Sequence, residues 1–213
     1  MAETGVIPLF PLNIVLFPHQ PLPLHIFEPR YKAMVKDCVE GKQDFGVVLV
    51  HEGQLVQNGT CARIENILEQ FDDGRLNILT LGKKRFRVKK IIEGKPYLEG
   101  EVEFWDDDGP VCQKAAELYR QVLQLLKIYA VLTGKIEDQS LVENFNAYGF
   151  SFFLAEINMY SLPRQQEVLE MTSARERLEC GLKSLGALVE RLQLDRKLKD
   201  LLGNTQSFFN ILN

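Results

Sequence analysis

Up to residue 109 the chain alternates short apolar runs with turn-forming residues, and beyond that point apolar positions recur at helical spacing. The opening runs Ile7-Pro8-Leu9-Phe10-Pro11-Leu12 and Val15-Leu16-Phe17-Pro18 combine extended apolar stretches with prolines that hold their neighbours in β or polyproline conformations, which predicts edge-type strands. Leu22-Pro23-Leu24-His25-Ile26-Phe27 leads to Pro29, well placed in a first helical turn, and a helix is expected from there to about Glu40. Tyr31, Met34, Val35, Cys38 and Val39 form its apolar stripe, and Gly41 fits the left-handed position just past its end. Phe45 to Val50 is a continuous apolar run, as expected of a central strand covered on both faces. A strand from Cys61 to Phe71 meets the turn signal Asp72-Asp73-Gly74-Arg75 and returns as Leu76 to Leu81. Gly82 to Arg85 then predicts a turn into Phe86 to Ile92, and Glu93 to Pro96 a turn into Tyr97 to Trp105.

After Asp106-Asp107-Asp108-Gly109-Pro110 the period changes. Val111, Ala115, Leu118, Tyr119, Val122, Leu125, Leu126 and Tyr129 mark one long amphipathic helix stopped by Gly134. Tyr148 to Met159 is apolar nearly all round, the pattern of a buried bundle helix, and a short helix follows Leu162-Pro163. Ser173-Ala174-Arg175-Glu176 has capping-box spacing and opens the last helix, whose Leu178, Leu182, Leu185, Val189 and Leu192 form one seam for core packing. The fold class is therefore α+β: a mostly antiparallel sheet or open barrel with one helix over residues 1–109, then a helical bundle over 110–213.

Composition narrows the function. With 213 residues, 46% hydrophobic and 25% charged, the chain has the proportions of a globular protein able to bury about 70% of its unfolded surface. The net charge of −4 argues against a bulk polyanion binder, and no apolar run is long enough to span a bilayer, so neither nucleic acid nor membrane is an expected partner. An acid at Glu3 stands where a secretory leader needs basic residues, which points to the cytoplasm. Cys38, Cys61, Cys112 and Cys180 are too widely spaced for metal pairs and read as buried thiols.

None of the three histidines, His19, His25 and His51, accompanies a nucleophile elbow or a metal-binding helix, and each Gly-Lys pair lacks the flanks of a phosphate-binding loop. No catalytic group, cofactor or metal is implied. The sharpest charge feature is Lys83-Lys84-Arg85-Phe86-Arg87-Val88-Lys89-Lys90: on a strand Arg85, Arg87 and Lys89 point one way and Phe86 and Val88 inward. Those three cations form a candidate face for an anionic partner, or a solvated face that discourages aggregation.

Several segments together resemble one known family. Ile7 to Leu12, Leu16-Phe17-Pro18, Leu22 to Tyr31, Gly59 to Ile64, Asp73-Gly74-Arg75-Leu76, Arg85 to Val88, Phe153-Leu154-Ala155, Arg164-Gln165-Gln166 and Arg177-Leu178 are similar, in the same order, to the N-terminal substrate-binding domain of the ATP-dependent protease Lon. The resemblance implies a β-rich lobe followed by a helical bundle that recognises unfolded or tagged proteins and helps assemble a hexamer ahead of ATPase and Ser-Lys protease modules. Neither module is present in this sequence, which reads as a stand-alone, noncatalytic domain whose last helix ends near Gly203, shorter than the one that leads into the ATPase in the family, so the resemblance alone does not imply a hexamer here and hexamer, dimer and monomer stay open. The run Ser207 to Leu212 reads as a tail that docks on the bundle or offers a sticky end.

The reading that follows is a module binding unfolded or extended protein segments by strand addition and side-chain pockets, with Phe10, Phe17, Phe27 and Tyr31 as the candidate peptide-binding aromatics. Each of these also fits the core. An adaptor docking on a partner such as a Lon-type protease is the alternative, and a small-molecule enzyme with a site between the lobes a third.

Overall fold

The computed structural model describes residues 3–109, 112–134, 146–157 and 160–211, with 203–211 described by backbone alone. Among them are six strands, β1 (Thr4–Leu12), β2 (Pro21–Ile26), β3 (Phe45–His51), β4 (Gln54–Gln70), β5 (Leu76–Ile92) and β6 (Glu99–Trp105). The helices are α1 (Pro29–Gly41), α2 (Gln113–Thr133), α3 (Ala147–Ile157), α4 (Leu162–Glu170) and α5 (Ala174–Ile211). The expected helix positions Val111 and Met159 lie outside the described residues, as do the side chains of the tail. By their own contacts the residues group into two compact units, Met1–Gly109 with Met159–Thr172, and Pro110–Asn158 with Ser173–Asn213. α4, expected in the bundle, lies in the first of these units with the sheet.

The sheet runs β2-β5-β4-β3-β1-β6, and β6 pairs with β5 as well, so β1, β3, β4, β5 and β6 close a ring with β2 outside it. Only the β1–β3 pairing is parallel. β1 is thus interior rather than an edge, and its register explains how two prolines are tolerated there. It pairs with β6 through Pro8 and with β3 from Leu9 onward. Leu9 N–H donates toward the β6 side, to Leu98 O at 2.8 Å. By alternation Pro11 turns its donorless nitrogen to that side, past the end of the β6 ladder, and Pro8 to the other, before the β3 ladder begins. Val15 to Phe17, expected as a strand, is irregular yet buried.

Inside the ring pack Ile7, Leu9, Val48, Cys61, Phe86, Val88 and Val102. The Phe86 ring fits because Gly46 and Gly59 face it: a Cβ on either would lie 2.5 Å and 2.9 Å from its ζ carbon. β5 runs unbroken through Gly82, where a turn was expected. A bulge on β5 takes up the strain, and Gly82 is needed because a Cβ there would sit 2.1 Å from Phe17 O of the crossing segment. A second core, with Phe10, Tyr31, Met34, Val35, Cys38, Phe45 and Ile78, packs α1 on the sheet. Val39 leaves the expected stripe and is 46% exposed. Lys42, not Gly41, takes the left-handed position after α1, with its N–H on Cys38 O and Val39 O. The hairpin at Asp73-Gly74 forms as expected, Gly74 having φ 78°.

In the second unit α2, α3 and α5 share a core that includes Leu118, Leu126, Phe150, Leu178, Leu185 and Val189. Gly134 ends α2 in the left-handed region, and Ser173 Oγ accepts from Glu176 N–H at 3.4 Å at the start of α5. That helix continues past Gly203 to Ile211 instead of stopping, since a helical glycine costs only about 1 kcal/mol and no proline follows. No helix among the described residues is long and apolar enough to cross a membrane.

Candidate functional site: the open face of a three-stranded arm

β4 and β5 each exceed the length of their ring partners. The β3 ladder on β4 ends at Ala62, and beyond it β4, β5 and β2 form a three-stranded arm. The pleat assigns its two faces. Leu22, Leu24 and Ile26 of β2, with Leu76 and Ile78 of β5, turn toward α1 and its core. The opposite face carries Pro21, Pro23, His25 and Phe27 beside Leu81, Leu79 and Asn77, which are their registered partners on β5 for the first three. Leu79 and Leu81 stay half-buried and join none of the three apolar cores, while Pro21, Pro23 and His25 are exposed and Phe27 is 59% exposed.

A polar row crosses this face. Asn77 Nδ2 donates to Glu69 Oε2 at 2.8 Å, and Asn77 Oδ1 lies 2.7 Å from His25 Nδ1. The His25 ring stacks on Phe27 at 6.0 Å between centroids and meets Phe71 edge-on at 6.1 Å. Arg75, held by Asp73 at 2.7 Å, lies over the Phe71 ring at 4.8 Å from its centroid.

Both free edges of the arm resist strand addition. Gln20 O accepts from Gly82 N–H and Leu22 O from the Thr80 hydroxyl, so the even residues of β2 turn their backbone groups inward to β5. Pro21, Pro23 and His25 face outward, and of these only His25 has an N–H to offer. The outer edge of β4 is broken by register shifts that leave Glu65 and Leu68 as bulged residues, Leu68 being 60% exposed. Protein segments can therefore meet this arm through side chains on its face more readily than through added backbone ladders.

Of the four expected peptide-binding aromatics, only Phe27 lies on this surface. Phe10, Phe17 and Tyr31 are buried, Phe10 packing on Tyr31 at 4.2 Å and on Phe45 at 5.9 Å. Sequence reasoning passed over Pro21, Pro23, Leu79 and Leu81. Their signal was there: Leu76 to Leu81 places apolar residues on both faces of a strand whose neighbour carries outward prolines.

The basic strand is corrected too. Phe86 and Val88 point inward as expected, but Arg85 is buried beneath α4. Its guanidinium donates to Leu169 O at 2.9 Å, Met171 O at 2.7 Å and Asp107 Oδ1 at 2.6 Å, and stacks on Trp105 at 3.9 Å. Gln166 of α4 donates to Asn58 O beside it. Arg87 donates to Asn58 Oδ1, Lys89 pairs with Glu103, Lys84 with Glu3 and Lys83 with Glu65, so most of the stripe is neutralised locally.

Two hollows flank α1, of about 290 Å³ and 400 Å³. The first holds Lys95, whose ammonium is kept well above its usual range by hydrogen bonds to Tyr97 and Glu99, so it stays charged. The second reaches Cys38, whose thiol burial pushes up to about 12, out of range of nucleophilic use at neutral pH. Among the described residues no three His, Cys, Asp or Glu side chains gather as metal ligands.

The sequence matches, over residues 6–186, the family described as ATP-dependent protease La (LON) substrate-binding domain. It is 28% identical to the Lon protease of Anaeromyxobacter dehalogenans, an alignment covering 91% of this chain and 24% of that protein. To the Lon protease of Parabacteroides distasonis it is 35% identical over 49% of this chain and 14% of the relative. The chain thus spans about a quarter or less of the length of these relatives. Among solved structures, a Lon N-terminal domain protein from Xanthomonas campestris superposes with a TM-score of 0.65 at 28% identity, covering 84% of this chain and 98% of that one. The N-terminal domain of Mycobacterium avium complex Lon protease shares the fold, with a TM-score of 0.71 at 13% identity over 85% and 98% of the two chains. With the family match over residues 6–186 and the superposition on a solved Lon N-terminal domain protein, this chain belongs to the Lon substrate-binding domain family.

Proposed function

We propose that the chain is a recognition module that holds extended apolar segments of other proteins on the open face of its β-arm, without cutting or remodelling them itself. Its ligands are unfolded or partly unfolded cytoplasmic proteins, and the Lon relatives point to an ATP-dependent protease as their destination. The observation that carries this reading is an apolar surface left uncovered around Phe27, Leu79 and Leu81 on a family member whose relatives are described as substrate-binding. Side chains of about this size contribute about 1.5–3 kcal/mol each when fully buried, so three or four anchors supply about 5–12 kcal/mol before association costs, which sets weak affinity in the high-micromolar range or above as the expectation.

The test is binding of fluorescently labelled, chemically unfolded casein, read by anisotropy. Phe27→Asp is expected to weaken binding about tenfold with no loss of thermal stability, because the side chain is exposed. Val6→Asp, an exposed apolar position on β1, serves as the control and should bind like the parent. Binding unchanged by Phe27→Asp sinks the assignment to this face. Capture of a single stoichiometric partner, with no affinity for unfolded chains, would instead favour the adaptor reading.

A further inference from the structure

We infer that segments held on the open face carry a basic side chain among their apolar ones, and that Glu69 and His25 recognise it. The inference rests on the reading of this face as a protein-binding surface and adds the chemistry of what binds.

Hydrogen-bond polarity along the row leads to this conclusion. Asn77 spends its Nδ2 group on Glu69, which leaves Oδ1 facing His25 Nδ1 at 2.7 Å. An amide oxygen only accepts, so Nδ1 carries a proton, and the neutral ring then offers Nε2 as an acceptor. Glu69 offers its carboxylate at the other end of the row. Both ends therefore ask for donors, and a bound segment that supplied only apolar groups would leave them desolvated and unmet, at a cost.

Charge points the same way. Cations of the arm and α1 are already engaged: Arg75 with Asp73, Lys32 with Asp73 O, Arg30 with Glu28, and Arg63 with Asp44 in a bidentate pair. Glu69 has no cationic partner among the described residues, and it sits in a stretch, residues 1–109, with 13 basic and 17 acidic groups. Phe27 and Phe71 flank His25 and give the aliphatic stem of a lysine or arginine apolar surface to lie on while its head reaches the row. Complementarity thus selects an extended segment with a cation set among leucines and phenylalanines.

Two unstructured peptides of identical Leu and Phe content, one with a central Lys and one with Glu, test it by anisotropy on the full chain. The Lys peptide is expected to bind about threefold more tightly at low salt, with the gap closing as salt is added. Glu69→Gln keeps a hydrogen-bonding side chain beside Asn77 and should abolish the gap, while Glu69→Lys should invert it. Equal affinity of the two peptides, unmoved by either variant, overturns the basic preference and leaves the protein-binding reading standing. If neither peptide binds at high micromolar concentration, both fall. Self-association of the chain that Phe27→Asp removes would assign the face to a second copy and likewise overturn the inference.

Discussion

β4 and β5 are single uninterrupted strands, yet their two halves meet opposite fates. Toward the ring, their outward face is covered by α4, and Arg85 is sealed against three acceptors. Toward the arm that same side packs on α1 through Ile78, and it is the opposite side, continuous with the ring interior, that carries Leu79 and Leu81 with no core to join. Local sequence does not produce the difference, since the face that ends up sealed carries cations and the one left open carries leucines. A segment some eighty residues downstream returns to the first half and not to the second. A polar residue can be buried where the chain brings acceptors to it, and an apolar one left half-covered, outside any core, where nothing returns.

Breaking the sealed half should have the largest effect. Arg85→Met removes a buried cation and leaves two carbonyls and the Asp107 carboxylate without it, so a loss of about 3–5 kcal/mol is expected, read as a drop in the urea midpoint. Gly82→Ala, at the junction of the halves, drives a Cβ into Phe17 O and should cost about 1–3 kcal/mol by the same measurement. In the open half a double Pro21→Thr, Pro23→Thr change should scarcely alter stability but restore two outward N–H donors on β2. Concentration-dependent dimers in sedimentation are then expected, and a strictly monomeric variant would show that the prolines do not guard this edge.

What the sequence revealed, and what it hid, follows the same division. Turn chemistry at Asp73-Gly74, the stop at Gly134, the seam from Leu178 to Val189 and the inward Phe86 and Val88 all depend on neighbours within a few residues, and all are present in the structure. Arg85 could not be placed because its acceptors, Leu169 O and Met171 O, come from a helix that composition alone assigns to the bundle. On sequence Phe10, Phe17 and Tyr31 fit either a peptide-binding edge or the core, and only the structure, with β1 flanked on both sides and α1 packed on the sheet, shows them buried. Gly41 lost the left-handed position to Lys42 because the helix ran one residue longer than its last stripe residue indicated. The open face was readable as a second apolar side of Leu76 to Leu81, but only β2's register shows which prolines join it.

The smallest expected effect is the most discriminating about charge, because it sets a second ion pair on the same strand against Arg85. Lys89, four residues along β5, pairs with Glu103 across to β6, and that neighbouring ammonium holds the Glu103 carboxyl below its usual range. A carboxyl depressed on folding contributes its stability above the unfolded value, near 4.3, and loses it as pH falls through the folded one. Glu103→Gln should therefore lower stability by a small, constant amount above about pH 5, with the difference from the parent fading as pH falls below it. The pair is solvent-exposed, so the difference from the parent should shrink in high salt. Arg85, shielded by α4 and Trp105, should show no such salt dependence in its own variant. Equal salt sensitivity in the two would mean that water reaches Arg85 and that α4 does not seal the ring half of the strands.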